Sequence, residues 1–144
     1  MASQKALDKL YMKWAYDVAD LSYCERKKVG AVIVSPDYRL MISYGYNGTP
    51  PGEPNICEDE NGLTKPDVLH AEENAILKLA TVPLSAIGGI LYVTVAPCMP
   101  CARKIVSVGI KRIVYGGIYS HHDNGEFFKR KGILMEYYFN DNEL

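Results

Sequence analysis

The chain is 144 residues long, the length of one domain able to bury a core without disulfide staples. Hydrophobic residues make up 48% and charged residues 23%, which excludes long disorder, and no apolar run reaches membrane-spanning length. The formal net charge of −1 supplies no basic field, which argues against a polynucleotide or membrane partner and for a small-molecule one.

Apolar side chains at helical spacing (Ala6, Leu7, Leu10, Trp14, Val18, Leu21) predict an amphipathic helix from Ser3 to Tyr23. Val29 to Val34 reads as a strand, Ser35-Pro36-Asp37 as a turn and Leu40 to Gly45 as the hairpin partner. Tyr46 to Asp67 is irregular, with four Pro and three Gly, and a loop this long inside one domain is more often functional than idle. A second helix is predicted from Leu69 to Ala80, with Ala71, Ala75, Ile76 and Leu79 inward, followed by a strand from Gly89 to Val95. Pro97 sits where helices begin, so a third helix runs from Cys98 to Val108 and closes at Gly109. Arg112 to Tyr115 is a fourth strand, Asn124 to Lys131 a short helix stopped by Gly132, and Ile133 to Phe139 a fifth strand. The order implies α/β architecture, a three-layer α/β/α sandwich around a five-stranded mixed sheet, as one domain over residues 1–144. No secretory signal opens the chain, so a cytoplasmic location is expected. Its four cysteines are then expected as free or metal-bound thiols rather than disulfides.

The chemistry concentrates in His70-Ala71-Glu72 and Pro97-Cys98-Met99-Pro100-Cys101, an H-x-E followed by a P-C-x-x-C. One imidazole and two thiolates give a zinc ion three ligands and leave the fourth tetrahedral position for water, which separates a catalytic site from a closed structural one. Zinc lowers the pKa of such water towards neutrality, and Glu72 is the candidate proton shuttle. Cys98 and Cys101 lie three apart at a helix start, where the helix dipole favours thiolates. On one regular helix His70 and Glu72 would point roughly 200° apart, so the metal must sit off the helix end, with two helix N-termini aimed at it. Cys24 and Cys57 lack metal-ligand spacing to the motif, and one zinc per chain is expected. A zinc that only staples the fold is the plainer alternative, but a structural site would be expected to show a fourth Cys or His.

Beyond the zinc motif, the chain resembles the deoxycytidylate (dCMP) deaminases of the cytidine/deoxycytidylate deaminase superfamily, in their short phage and bacterial form. The resemblance rests on Lys28-Val29-Gly30-Ala31-Val32-Ile33-Val34, Gly45-Tyr46-Asn47-Gly48-Thr49-Pro50-Pro51-Gly52, His70 to Ile76, and Leu91 to Ala102. It implies hydrolysis of dCMP to dUMP and ammonia by a zinc-bound hydroxide, with zinc on His70, Cys98 and Cys101, feeding thymidylate synthesis. It also implies that Asn47 fixes the nucleoside. The loop from Gly45 to Gly52, with Tyr46, Asn47 and Gly48, would form an effector site for dCTP (activator, with magnesium) and dTTP (inhibitor) in a homohexamer. A nucleotide needs a cation for its phosphate, and Arg26 is the first candidate and Lys28 the second. Ala71, within the motif, and Tyr115 and Tyr119, after the fourth strand, are further candidates to touch substrate. Competing readings are a deaminase of another cytosine nucleotide or nucleoside (dCTP, deoxycytidine), a tRNA deaminase, and a nucleotide-binding regulator without catalysis. The net charge speaks against a tRNA reader and an intact Glu72 against the silent regulator.

Overall fold

Strands Gly30–Val34 (β1), Ile90–Val93 (β3) and Arg112–Tyr115 (β4) are buried along their whole length, as strands covered on both faces must be. In the computed structural model, which describes residues 2–118 and 123–139, they join Met41–Tyr46 (β2) and Leu134–Tyr137 (β5) in one sheet of order β2-β1-β3-β4-β5. β1 runs antiparallel to its hairpin partner β2 and to β3, while β3, β4 and β5 are mutually parallel. The mixed five-stranded sheet is therefore the one the sequence predicts.

Alternation along the strands sends side chains to two cores. Val32, Val34, Ile90, Tyr92 and Val114 meet Tyr11, Met12 and Ala15 of helix Gln4–Ala19 (α1) on one face. Ala31, Ile33, Leu91, Val93 and Ile113 face the opposite way, onto Ala71–Leu77 (α2), Met99–Ser107 (α3) and Gly125–Arg130 (α4). Those faces make the three layers. At one edge Arg112 of β4 ties α1 to the sheet, donating two hydrogen bonds to Asp8 of α1, each 2.8 Å, and one to Glu136 of β5 at 2.6 Å.

Helix α1 stops at Ala19, four residues before the predicted end. Leu21 and Ser22 N–H groups bond three residues back, and the Ser22 hydroxyl donates to the Asn47 carbonyl at 2.8 Å, so a tertiary contact turns the chain. Helix α2 is also shorter than predicted, ending at Leu77 and continuing as one 3₁₀ turn to Thr81. Among the described residues no helix is long and apolar enough to cross a membrane.

The cysteine expectation is corrected in part. Cys98 and Cys101 are free thiols, but Cys24 and Cys57 form a disulfide with a Cα–Cα distance of 5.1 Å. The expectation rested on compartment. It could not register that the long loop folds back on the segment before β1, where both cysteines are buried with Val68.

Two glycines set how closely helices lie on the sheet. A Cβ on Gly30 would fall 2.0 Å from the Ala15 carbonyl of α1. A Cβ on Gly45 would fall 2.4 Å from the Ala71 carbonyl and 2.5 Å from the Ala75 nitrogen of α2. Gly45 thus fixes the position of the helix whose start carries His70 and Glu72. Gly45→Ala is expected to cost about 1–3 kcal/mol by overpacking, measured by thermal unfolding, and to lower the zinc content of the purified protein.

Candidate active site

His70 lies outside α2, at its N-cap, with φ −75° and ψ 160°. Extended backbone there lets the imidazole leave the helix axis, while Glu72, two residues on, is helical and only 4% exposed. Cys98 is likewise the N-cap of α3, and Cys101 follows in its first turn. The His70 Nδ1 atom is 3.4 Å from Cys98 Sγ and 3.3 Å from Cys101 Sγ. Three ligand atoms from two helix starts thus come within 4.8 Å of one another, a group that could hold a metal ion. The donor set suits zinc, whose affinity for imidazole and thiolate needs no particular d-electron geometry.

An outer contact holds the two helix starts side by side. Glu73 accepts the His70 backbone N–H at 3.0 Å and pairs through its other oxygen with Lys104 of α3. Burial works against that carboxylate, yet the His70 N–H and the Lys104 ammonium outweigh it and hold its pKa below the ordinary value.

The ionisation of the cluster favours a cation. Cys98 accepts a hydrogen bond from Cys101 and, despite its burial, is pulled down to about 4, with His70 assisting. The same hydrogen bond, with burial, pushes Cys101 up. His70 is raised by its bond to Cys98, against the effect of burial. Burial pushes Glu72 up to about 7, against the opposing pull of its backbone hydrogen bond and His70. Such a carboxyl can both take and return a proton near neutral pH.

A cleft of about 250 Å³ opens onto His70, Glu72 and Cys98. Ala71, Val95 and Ala96 also line it, Thr64 and Val68 come from the long loop, and Cys24, Arg26, Lys27, Val29 and Asn47 complete it. Of the predicted contacts, Arg26, Asn47 and Ala71 are therefore at the cleft. All three residues of the run Arg26-Lys27-Lys28 are exposed, but Lys27 borders the cleft and Lys28 does not, a difference that nothing in the run itself marks. Tyr115 is 7% exposed in the core, with its hydroxyl on Asp123 at 2.8 Å, and stands away from the cleft lining. Tyr119 lies outside the described residues. Asn47 accepts the Val29 N–H at 2.9 Å and donates to the Lys27 carbonyl at 2.7 Å, so its amide shapes the basic segment.

A second cleft, about 330 Å³, is lined by Tyr46, Asn47, Gly48 and Gly52 of the predicted effector loop. Gly45 is instead packed beneath α2 and does not line it. Asn74 and Lys78, four residues apart and so on one helix face, complete the wall and were not anticipated. Lys78 donates to the Tyr44 carbonyl at 2.8 Å, its nitrogen 3.7 Å above the Tyr44 ring centre, and burial lowers its pKa.

Comparison with known proteins agrees with this geometry. Residues 5–117 match the cytidine and deoxycytidylate deaminase zinc-binding region, and the chain belongs to that family. It is 37% identical over 122 residues to the deoxycytidylate deaminase of Mycobacterium phage D29, covering 75% of this chain and 92% of that one. It is 36% identical over 131 residues to ComE operon protein 2 of Bacillus subtilis, covering 88% of this chain and 68% of that protein. Among solved structures, the dCMP deaminase of cyanophage S-TIM5 in complex with dCMP and dUMP superposes with a TM-score of 0.89. The two are 36% identical, and the match covers 95% of this chain and all of that one.

Zinc uptake requires both thiolates and a neutral imidazole, and Cys101 and His70 are both raised, so apparent affinity rises with pH, by about tenfold per unit for each proton released. Chelator competition at two pH values measures that slope. Glu73→Ala removes the strut between α2 and α3 and is expected to weaken zinc binding about tenfold or more in the same assay.

Proposed function

We infer that the chain is a zinc-dependent deaminase that hydrolyses dCMP to dUMP and ammonia, as a single domain, and so supplies dUMP for thymidylate synthesis. The observation that carries this reading is the convergence of His70, Cys98 and Cys101 with buried Glu72 beside a cleft that Arg26 and Lys27 also line. It is supported by the likeness to an enzyme solved with dCMP and dUMP.

His70, Cys98 and Cys101 hold the zinc. When bound, zinc supplies Lewis-acid activation of water at neutral pH. Glu72 accepts the proton of the attacking water, passes it to the ring nitrogen of cytosine, and then assists departure of ammonia. Its burial keeps that proton away from bulk solvent. Arg26 and Lys27 hold the 5′-phosphate, where a guanidinium fork and an ammonium both suit its oxygens. Asn47 keeps the Lys27–Val29 backbone in place and has hydrogen-bonding capacity left for the nucleoside.

The second cleft is the site for nucleotide effectors, dCTP as activator and dTTP as inhibitor, with magnesium accompanying the triphosphate and Lys78 as its nearest cation. Asn47 lines both clefts and so joins them physically. The enzyme acts as a homohexamer in the cytoplasm, where phosphorylated nucleotides are retained.

Glu72→Ala is expected to keep one zinc per chain while ammonia release falls by about 10³-fold, because only the proton shuttle is lost. Metal analysis beside a rate assay checks both halves. The double substitution Arg26→Gln with Lys27→Gln should raise KM for dCMP about tenfold or more and leave deoxycytidine turnover unchanged. Equal kcat/KM for dCMP and deoxycytidine in the unaltered enzyme would refute the nucleotide assignment.

A further inference from the structure

We propose that the Cys24–Cys57 disulfide is a positioning element of the substrate cleft, holding the phosphate-binding segment against the long loop that forms the opposite wall. Cys24 lies two residues before Arg26 and itself lines the cleft; Cys57 lines the second cleft. Downstream of Cys57, the loop continues through Thr64 and Val68, which line the same cleft as Arg26 and Lys27. The crosslink joins residues 33 apart in sequence and packs with Val68 of that loop.

The basic segment depends on such an anchor. Among the described residues, no ion pair or side-chain hydrogen bond holds the side chains of Arg26 or Lys27, so their placement follows from their backbone. That backbone is fixed on one side by Asn47, at Lys27 and Val29. On the other side it is fixed by the disulfide and by the Glu25 N–H donating to Glu58 at 3.0 Å. Glu58 is in turn paired with Thr64 across an isolated bridge, and the Lys65 N–H donates to the Cys57 carbonyl at 2.8 Å. Opening the S–S bond leaves the polar contacts and removes the covalent limit on how far the walls can separate. His70 and Cys98 cap α2 and α3, and Glu72 and Cys101 lie in their first turns; those helix starts are held by hydrogen bonds to β2 and by the Glu73–Lys104 pair, which remain when the crosslink opens. The consequence falls on phosphate binding rather than on the chemical step.

The test compares the zinc-loaded enzyme before and after reduction with a phosphine, and a Cys24→Ala/Cys57→Ala double variant. In the reduction, the phosphine takes the oxygen of one water to become its oxide, and the disulfide receives two electrons and two protons to give two thiols. Denatured and stripped of metal, the unreduced protein should show only the Cys98 and Cys101 thiols, and the reduced protein all four cysteines. Reduction and the double variant should each raise KM for dCMP about tenfold, the effect of loosening one charge-assisted contact. kcat, and turnover of deoxycytidine, should change by less than about twofold.

An unchanged KM in the reduced enzyme overturns the proposal, whether or not the double variant folds. So does a parallel fall in kcat for both substrates, which would mark a general structural role. It is also overturned if the unreduced protein carries four thiols and a second zinc, since Cys24, Cys57 and Glu58 offer ligand atoms within 4.8 Å of one another. The inference rests on Arg26 and Lys27 holding phosphate. If that assignment is at fault, their double substitution leaves KM for dCMP unchanged; if only the disulfide's role is wrong, that substitution raises KM while reduction does not.

Discussion

Helices α2 and α3 begin at the same place, and the site depends on that coincidence. It has identifiable causes. Gly45 lets the α2 backbone lie directly on β2, where any larger residue would meet the Ala71 carbonyl. The Ser43 hydroxyl donates to the Ala75 carbonyl at 2.7 Å, and the Asn74 amide to the Tyr46 carbonyl at 2.7 Å, so α2 is also pinned by hydrogen bonds along β2. Glu73 and Lys104 then hold the starts of α2 and α3 side by side. A shift of either helix by an ångström would separate an imidazole and two sulfurs that now lie 3.3–3.4 Å apart.

Charge explains why the protein tolerates this cluster. A buried carboxyl beside two thiols would be costly if all three ionised without a partner. The protein responds by holding protons more tightly: burial pushes Glu72 up to about 7, and the hydrogen bond between the cysteines lowers Cys98 and raises Cys101. A divalent cation answers the same electrostatic demand more completely. The raised carboxyl suits the mechanism, because a proton shuttle must be able to carry the proton as well as release it.

Much of this was legible in the sequence, though unevenly. The H-x-E and P-C-x-x-C spacings, each at the start of an expected helix, were enough to place the metal off two helix ends, and the N-cap positions of His70 and Cys98 agree with that. Strand periodicity gave the sheet and its layers. Legibility fell where tertiary contacts decide. Ser22 ends α1 early by bonding to a residue 25 positions away, which no local pattern carries. Lys27 rather than Lys28 reaches the cleft because Asn47 sets the path of the backbone between them. Gly45 belongs to a motif that reads as ligand-binding, yet it is helix packing that excludes a side chain there. The Cys24–Cys57 pairing depends on how a long loop folds back, and composition offers no guide to that.

The central claim is that one histidine and two cysteines from two helix starts bind a single zinc and leave it open to the cleft. Zinc-edge X-ray absorption of the purified enzyme tests this directly. The account predicts one zinc per chain with two sulfur neighbours and the remainder nitrogen or oxygen, perturbed when dUMP is added. Three or four sulfurs per zinc, or a signal indifferent to the nucleotide, would contradict it.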